Sequence, residues 1–113
     1  MAVTFINCFE FPVGREGEFF ELFKRVNAYM RSKPGYLGHK MHRALTADAS
    51  FRFINVVQWA SAEHCIAAHD EGFQAMVREP AKLFQFRPGL YEVVHEREAD
   101  GNPAGAASER LSA

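Results

Sequence analysis

The chain of 113 residues has few cysteines, no long hydrophobic run and no excess of charge of either sign. Two cysteines, Cys8 and Cys65, do not suffice for a disulfide scaffold, so we expect both to be small buried hydrophobic residues. We also expect the protein to be located in the reducing cytoplasm. No apolar run is long enough to span a bilayer, and the N-terminus lacks a signal-peptide pattern. Lysine and arginine number 13 against 14 acidic residues, which argues against nucleic acid and anionic membranes as partners.

Phenylalanine, in contrast, is abundant, with 11 residues in a chain that is 48% apolar. A chain of this length forms one domain with a modest core, so these rings must fill a core, a pocket or an interface. We expect the domain to span residues 1–97. Residues 98–113 are small, polar and turn-forming, which predicts a flexible C-terminal tail.

The pattern of apolar residues predicts an α+β fold with the order β-α-β-β-α-β, the ferredoxin-like arrangement with an antiparallel sheet. Apolar residues at i, i+3, i+4 and i+7 indicate the first helix, and alternation of apolar with polar residues indicates strands. The strands are predicted at residues 3–11, 36–44, 51–59 and 90–96. The helices are predicted at residues 15–31 and 62–69, with a second helical patch at Phe73, Met76 and Val77.

Alternation along these strands assigns their side chains to two faces of the sheet. Four polar or aromatic residues are expected on the face that the helices cover, namely Asn7, His42, Asn55 and Trp59. The opposite face, which we call the open face, is predicted to be too apolar for water and to be covered by a second copy of the chain. Its predicted members are Ile6, Cys8, Leu37, Met41, Ile54, Val56 and Val94. We therefore expect a homodimeric barrel.

Two motifs in this framework resemble a known family. Pro34-Gly35-Tyr36-Leu37 follows the first helix, and Gln58-Trp59 ends the third strand. Together with the element order, they resemble the antibiotic biosynthesis monooxygenase family of dimeric α+β barrels over roughly residues 3–96. The motif most similar to this chain within the family is that of the cofactor-independent anthrone monooxygenases. The similarity lies in the Pro-Gly-aromatic turn, His42, Asn55-x-x-Gln-Trp and Arg78, whereas Cys65 stands where those enzymes carry a tyrosine.

The resemblance implies a monooxygenase that oxidises a small electron-rich aromatic or polycyclic substrate with molecular oxygen and without a metal or flavin. His42 would then be the base or proton shuttle, while Asn55 and Trp59 would orient the substrate and stabilise the oxygenated intermediate. Asn7 and Arg78 would bind the substrate. The walls of the pocket are expected to be formed by Phe5, Phe9, Phe53 and Tyr91.

Other interpretations stay open at this stage. The same residues could support a cyclase or isomerase that acts through an enolate. A non-catalytic ligand-binding or haem-binding barrel is a further alternative, and Asn7 matches an asparagine of the haem-degrading branch. In that branch, however, the axial histidine and a nearby tryptophan correspond to Val77 and Ala68, and His64 and His69 are out of register. Each polar candidate also has a purely structural interpretation, as a core residue, a rim histidine or a solvated arginine.

Overall fold

The computed structural model describes residues 1–101, so most of the predicted C-terminal tail lies outside the described residues. Its strands are β1 (Val3–Glu10), β2 (Tyr36–Arg43), β3 (Phe53–Trp59) and β4 (Gln85–Tyr91). Its helices are α1 (Glu16–Met30), α2 (Ala62–Ala68) and α3 (Glu71–Val77), and a 3₁₀ turn at Pro80–Lys82 precedes β4. The four strands form one antiparallel sheet in the order β2-β3-β1-β4. The predicted ferredoxin-like α+β fold is confirmed.

Two buried clusters form the core between the sheet and the helices. In the first, Phe19 and Leu22 of α1 pack against Phe9 and Phe53 of the sheet, with Phe84 beside them. This packing places α1 over β1 and β3. The second cluster joins the end of α1 and the helix α2 to β3, and it contains Met30, Val57, Trp59, Cys65 and Ala68. The abundance of phenylalanine is therefore explained mainly by the first cluster.

The last strand lies earlier in the chain than its sequence pattern predicts. The sequence pattern predicts a turn at Pro88-Gly89 and a strand at residues 90–96, but β4 spans Gln85–Tyr91 and contains both Pro88 and Gly89. Proline is tolerated here because β4 is an edge strand, paired only with β1, where one side of the backbone needs no hydrogen-bond partner. Val94 consequently lies beyond the sheet and is exposed, so its predicted place on the open face is wrong.

A β-bulge in β2 changes which side chains face the helices. Tyr36 pairs with Trp59, but Gly38 pairs with Gln58, so Leu37 is an extra residue on β2. After the bulge, Met41 lies opposite Asn55 and packs against the first cluster, whereas His42 lies opposite Ile54. The predicted positions of both residues are therefore wrong, because one inserted residue moves every later side chain to the other face.

The open face retains an apolar centre. Ile6, Cys8, Ile54 and Val56 lie side by side there, since Ile6 pairs with Val56 and Cys8 pairs with Ile54. All four are partly buried within the single chain. In residues 1–101, no helix is long and apolar enough to cross a membrane.

Candidate active site

A cavity of about 80 Å³, open to solvent, lies between the two clusters, on the side of the sheet that the helices cover. Aromatic and aliphatic side chains form most of its wall. The polar residues in the wall are Asn7, Asn27, Tyr36, Asn55, Trp59 and His69. The apolar lining comes from Phe5, Phe9, Phe19, Leu22, Phe23, Val26, Met30, Val57, Phe73, Val77 and Phe86. An apolar cleft with a few convergent polar groups is the usual form of a small-molecule site.

Two buried polar atoms in this wall have no hydrogen-bond partner among the described residues: Nε1 of Trp59 and Oδ1 of Asn7. Trp59 is only 1% exposed, so its indole N–H is removed from bulk water. Leaving a buried donor or acceptor without a partner costs about 1–3 kcal/mol, and folded proteins rarely leave such groups unpaired. One donor and one acceptor in the same cavity wall make this cavity a candidate site for a small molecule with hydrogen-bonding groups.

Asn55 lies opposite Asn7 on the neighbouring strand, and its carboxamide is held by a histidine. Nδ1 of His39 is 3.0 Å from Oδ1 of Asn55. Because the amide oxygen can only accept, the histidine nitrogen donates this hydrogen bond. The amide NH₂ of Asn55 is thereby left for the cavity, where it can donate to a substrate oxygen. The bulge at Leu37 is what brings His39 to this face, so strand alternation alone did not reveal it.

His69, which is not among the predicted site residues, lies in the cavity wall at the C-terminal end of α2. Its Nδ1 is 2.7 Å from the carbonyl oxygen of Cys65, one helical turn earlier. The ring lies 4.7 Å from the rings of Phe5 and Phe73, measured between centroids, and 6.4 Å from that of Trp59. The sequence signal is weak: a histidine four residues after a buried helix position, directly before a helix-capping aspartate.

The structure brings together five of the nine residues predicted to form the site. Asn55 and Trp59 on β3 line the cavity, as do Asn7, Phe5 and Phe9 on β1. These five share one face because β1 and β3 are paired without irregularity from Val3 to Phe9. Their roles stay predictions.

The other four do not line the cavity. His42 is exposed on the open face, with Nδ1 3.3 Å from the carbonyl oxygen of Ile54. The exposed Arg78 forms a 3.2 Å ion pair with Glu71.

Phe53 is buried but stacks on Phe19, at 5.2 Å between ring centroids, inside the first cluster. Tyr91 pairs with Thr4, and the register therefore places it on the open face, 54% exposed. The predicted placement of these four residues in the pocket is wrong, for His42 because of the bulge and for Tyr91 because β4 is displaced along the chain.

Cys65, which replaces the tyrosine of the resembled enzymes, is 3% exposed in the second cluster. Burial raises the pKa of its thiol to about 11, since the surroundings disfavour the thiolate. The thiol therefore stays protonated at neutral pH and acts as a small apolar residue.

Asp70 holds the junction between α2 and α3, directly after His69. Its Oδ1 accepts hydrogen bonds from the backbone N–H of Phe73 at 3.0 Å and from the hydroxyl of Tyr29 at 2.7 Å. Its Oδ2 accepts from Nζ of Lys33 at 2.8 Å. Asp70 thus caps α3 and ties it to the end of α1. The Lys33 ammonium, followed by the Phe73 N–H and the Tyr29 hydroxyl, holds the pKa of Asp70 well below its usual range.

This arrangement predicts a pH dependence of stability. Because the folded-state pKa of Asp70 is depressed, its carboxylate stabilises the fold above the unfolded pKa of about 3.9, and that contribution is lost as the pH falls towards the folded value. The Asp70→Asn variant keeps an oxygen for the cap but loses the ion pair with Lys33. We expect a lower Tm than wild type at pH 7 and a difference that shrinks by about pH 3, measured by thermal unfolding. An unchanged difference across this range would contradict the proposed linkage.

In the part of the chain that the structure describes, no group of three or more His, Cys, Asp or Glu side chains is placed to hold a metal ion.

Comparison with known sequence families identifies the family of this chain. The model of the family described as "Antibiotic biosynthesis monooxygenase" matches residues 2–79. This region contains β1 to α3 and every polar residue of the cavity wall named above. No curated protein is significantly similar to the chain.

Several solved structures share the fold. A candidate monooxygenase from Shewanella loihica PV-4 is 27% identical, with a TM-score of 0.71 over 84% of this chain and 96% of its own. A mutant of SnoaB, a cofactor-independent oxygenase from Streptomyces nogalater, is 23% identical, with a TM-score of 0.72 over 87% of this chain and 98% of its own. A dabb family protein from Mesorhizobium loti with a ferredoxin-like fold is 12% identical, with a TM-score of 0.67 over 83% and 98%.

Proposed function

Since this chain belongs to the antibiotic biosynthesis monooxygenase family, we propose that it is a cofactor-independent monooxygenase that oxidises a flat, electron-rich hydroxyaromatic compound with molecular oxygen. The observation that carries the proposal is the aromatic cavity in which Nε1 of Trp59 and Oδ1 of Asn7 have no partner among the described residues. The similarity in fold to SnoaB, a cofactor-independent oxygenase, supports the same activity class. Free Cys8 and Cys65 accord with the reducing cytoplasm that we include in the proposal.

The proposed roles follow from the hydrogen-bonding capacity of each group. A substrate that has lost a proton can pass an electron to dioxygen itself, so the protein needs to bind it, take the proton and stabilise negative charge. The indole N–H of Trp59 and the amide NH₂ of Asn55 donate hydrogen bonds to the oxygen that becomes negative. Oδ1 of Asn7 accepts from a substrate hydroxyl. The phenylalanine walls exclude water, which strengthens these hydrogen bonds.

The size of the cavity restricts how the substrate binds. A volume of about 80 Å³ is well below the ~300–1,000 Å³ of typical ligand pockets. The cavity therefore encloses only the part of a fused aromatic compound that carries the reacting carbon, and the rest of the compound lies in the open mouth. We propose substrates of one to three fused rings on this basis.

A second copy of the chain is part of the proposal. The apolar centre of the open face, formed by Ile6, Cys8, Ile54 and Val56, is partly accessible in the single chain and would be buried in a homodimer. Light scattering coupled to size exclusion tests this. Wild type should have the mass of a dimer and the Ile54→Glu variant that of a monomer. A wild-type monomer would contradict the dimer without affecting the assignment of the cavity.

The experiment that tests the function uses metal-free protein and a dihydroxyanthrone under isotopically labelled dioxygen. We expect oxygen consumption above the rate without protein and one labelled oxygen atom in the product, detected by mass spectrometry. A product without labelled oxygen but with a rearranged skeleton would instead indicate a cyclase or isomerase. No oxygen consumption with any of several electron-rich phenols would refute the monooxygenase assignment.

Haem binding is the alternative that one observation favours, because His69 lies in the cavity wall with Nδ1 bonded to a carbonyl, as in many axial histidines. The cavity does not fit this group. Iron is at the centre of the macrocycle, so ligation by His69 would require most of the ring to enter a volume of about 80 Å³. A Soret band on haem titration that is lost in His69→Gln would overturn this conclusion.

A further inference from the structure

We propose that Nε2 of His69 is the general base that removes a proton from the substrate. The inference deepens the proposed function and rests on it, because it names the proton acceptor for the same cavity. His42, the base that the family resemblance implies, is on the opposite face of the sheet.

The hydrogen bond at the other ring nitrogen sets the tautomer of His69. A backbone carbonyl oxygen only accepts, so the 2.7 Å contact with Cys65 requires Nδ1 of the neutral ring to carry the hydrogen. Nε2 then has the lone pair. None of residues 1–101 forms a hydrogen bond with Nε2, whereas Nδ1 is in contact with the carbonyl oxygen and Sγ of Cys65. A neutral histidine in this form is ready to accept a proton without first changing its tautomer.

Neighbouring side chains hold the ring in place. Phe5 on β1 and Phe73 on α3 contact it from two different elements, each at 4.7 Å between ring centroids. The next residue, Asp70, is fixed by hydrogen bonds to Tyr29, Lys33 and Phe73. Both the ring and the backbone that supports it are therefore positioned before a substrate binds, which general-base catalysis requires.

The other groups near the cavity are not suited to this role. Besides His69, Tyr36 is the residue of the described cavity wall with an acidic or basic side chain, and its hydroxyl accepts a hydrogen bond from Nδ2 of Asn27 at 3.2 Å. His39 is not part of the cavity wall, and its Nδ1 donates a hydrogen bond to Asn55. Cys65 is a protonated thiol, and the Asp70 carboxylate is engaged by three donors.

The proton transfers balance for a substrate with a CH₂ group between aromatic rings. Nε2 takes one proton from this carbon, which leaves a carbanion and an imidazolium. The carbanion passes one electron to dioxygen, and recombination forms the carbon–oxygen bond of a peroxide anion, which takes the proton back from Nε2. Nε2 then removes the second proton from the same carbon as the O–O bond breaks. The hydroxide that this cleavage releases takes the second proton from Nε2, so the products are the ketone and one molecule of water, and His69 is neutral again.

The test compares His69→Gln with His64→Gln, using the dihydroxyanthrone as probe. His64 is an exposed histidine on the same helix and is outside the cavity wall, so it controls for the loss of an imidazole. Under anaerobic conditions, wild type and His64→Gln should generate the visible absorption band of the substrate anion. His69→Gln should bind the probe, as measured by calorimetry, without forming the band. Under oxygen its kcat should fall by about 100-fold or more.

A third variant separates a catalytic from a structural role. In His69→Gly, added imidazole should restore anion formation and turnover in a concentration-dependent manner, which a purely structural residue would not permit.

The proposal is overturned if His69→Gln forms the anion at the wild-type rate, or if wild type forms none. Anion formation that depends on His69, without oxygen uptake by wild type, would support the base and refute the monooxygenase function. Oxygen uptake by wild type that is unchanged in His69→Gln would support the monooxygenase function and refute His69 as the base.

Discussion

Replacement of Trp59 by phenylalanine is expected to lower kcat/KM by about 100-fold, the usual effect of removing one hydrogen-bond donor to a developing negative charge. The variant keeps an aromatic ring in the second cluster but loses the Nε1–H, which has no partner among residues 1–101. Because Trp59 is 1% exposed, the smaller ring leaves a cavity. Loss of the unpartnered N–H offsets part of this cost, so the free energy of unfolding should fall by about 1 kcal/mol. Steady-state oxygen uptake and chemical denaturation measure the two effects.

The Phe84→Leu variant is the matched control for lost packing. Phe84 is buried in the first cluster and is not part of the cavity wall. It should show a similar loss of stability with kcat/KM near that of wild type. If both variants lose activity in proportion to stability, Trp59 is a core residue and its indole nitrogen has no catalytic role.

The Asn7→Leu variant is expected to change activity and stability in opposite directions. Leucine has the same branched arrangement of four side-chain heavy atoms and removes Oδ1, a buried acceptor without a partner in the described residues. Its removal should raise the free energy of unfolding by about 1 kcal/mol. Substrate binding should weaken, with KM rising about 10-fold, because the acceptor for a substrate hydroxyl is lost. This combination would identify Asn7 as a residue kept for function at the expense of stability.

Asn27→Leu provides the contrast. Asn27 also lines the cavity, but its Nδ2 already donates to the hydroxyl of Tyr36 at 3.2 Å. Its replacement leaves that hydroxyl without its donor and should therefore destabilise the protein. A loss of stability in Asn7→Leu of the same size, with KM unchanged, would show that Asn7 has an ordinary structural role.

The part of the site that could be predicted from the sequence lies on β1 and β3. Both strands alternate strictly, and their pairing is regular from Val3 to Phe9, so Asn7 and Asn55 fall on the same face and opposite one another. The motif ending in Trp59 adds the third residue. The fold class was also predictable, because segments with helical periodicity and segments with strand periodicity follow one another clearly along the chain.

The rest of the site and the position of the last strand depend on features that the periodicity of the sequence does not reveal. A single extra residue at Leu37 exchanges His42 for His39 on the helix-covered face. Gly38, which has a φ of +140°, is the residue that marks this bulge in the sequence, but it does not reveal which residue is the extra one. Pro88-Gly89 is typical of a turn and becomes part of a strand because that strand is at the edge of the sheet. His69 acquires its position only through the packing of α2 and α3 against β1.

The burial of Trp59 has a spectroscopic consequence, because the described cavity contains the single tryptophan of the chain. The intrinsic fluorescence of this protein therefore originates from one indole that lies in the wall where a ligand would bind. Its emission should be that of a ring in apolar surroundings, and an aromatic compound that enters the cavity should quench it. Unlabelled protein thus serves as its own optical sensor of cavity occupancy, and compound collections can be screened without knowledge of the natural substrate.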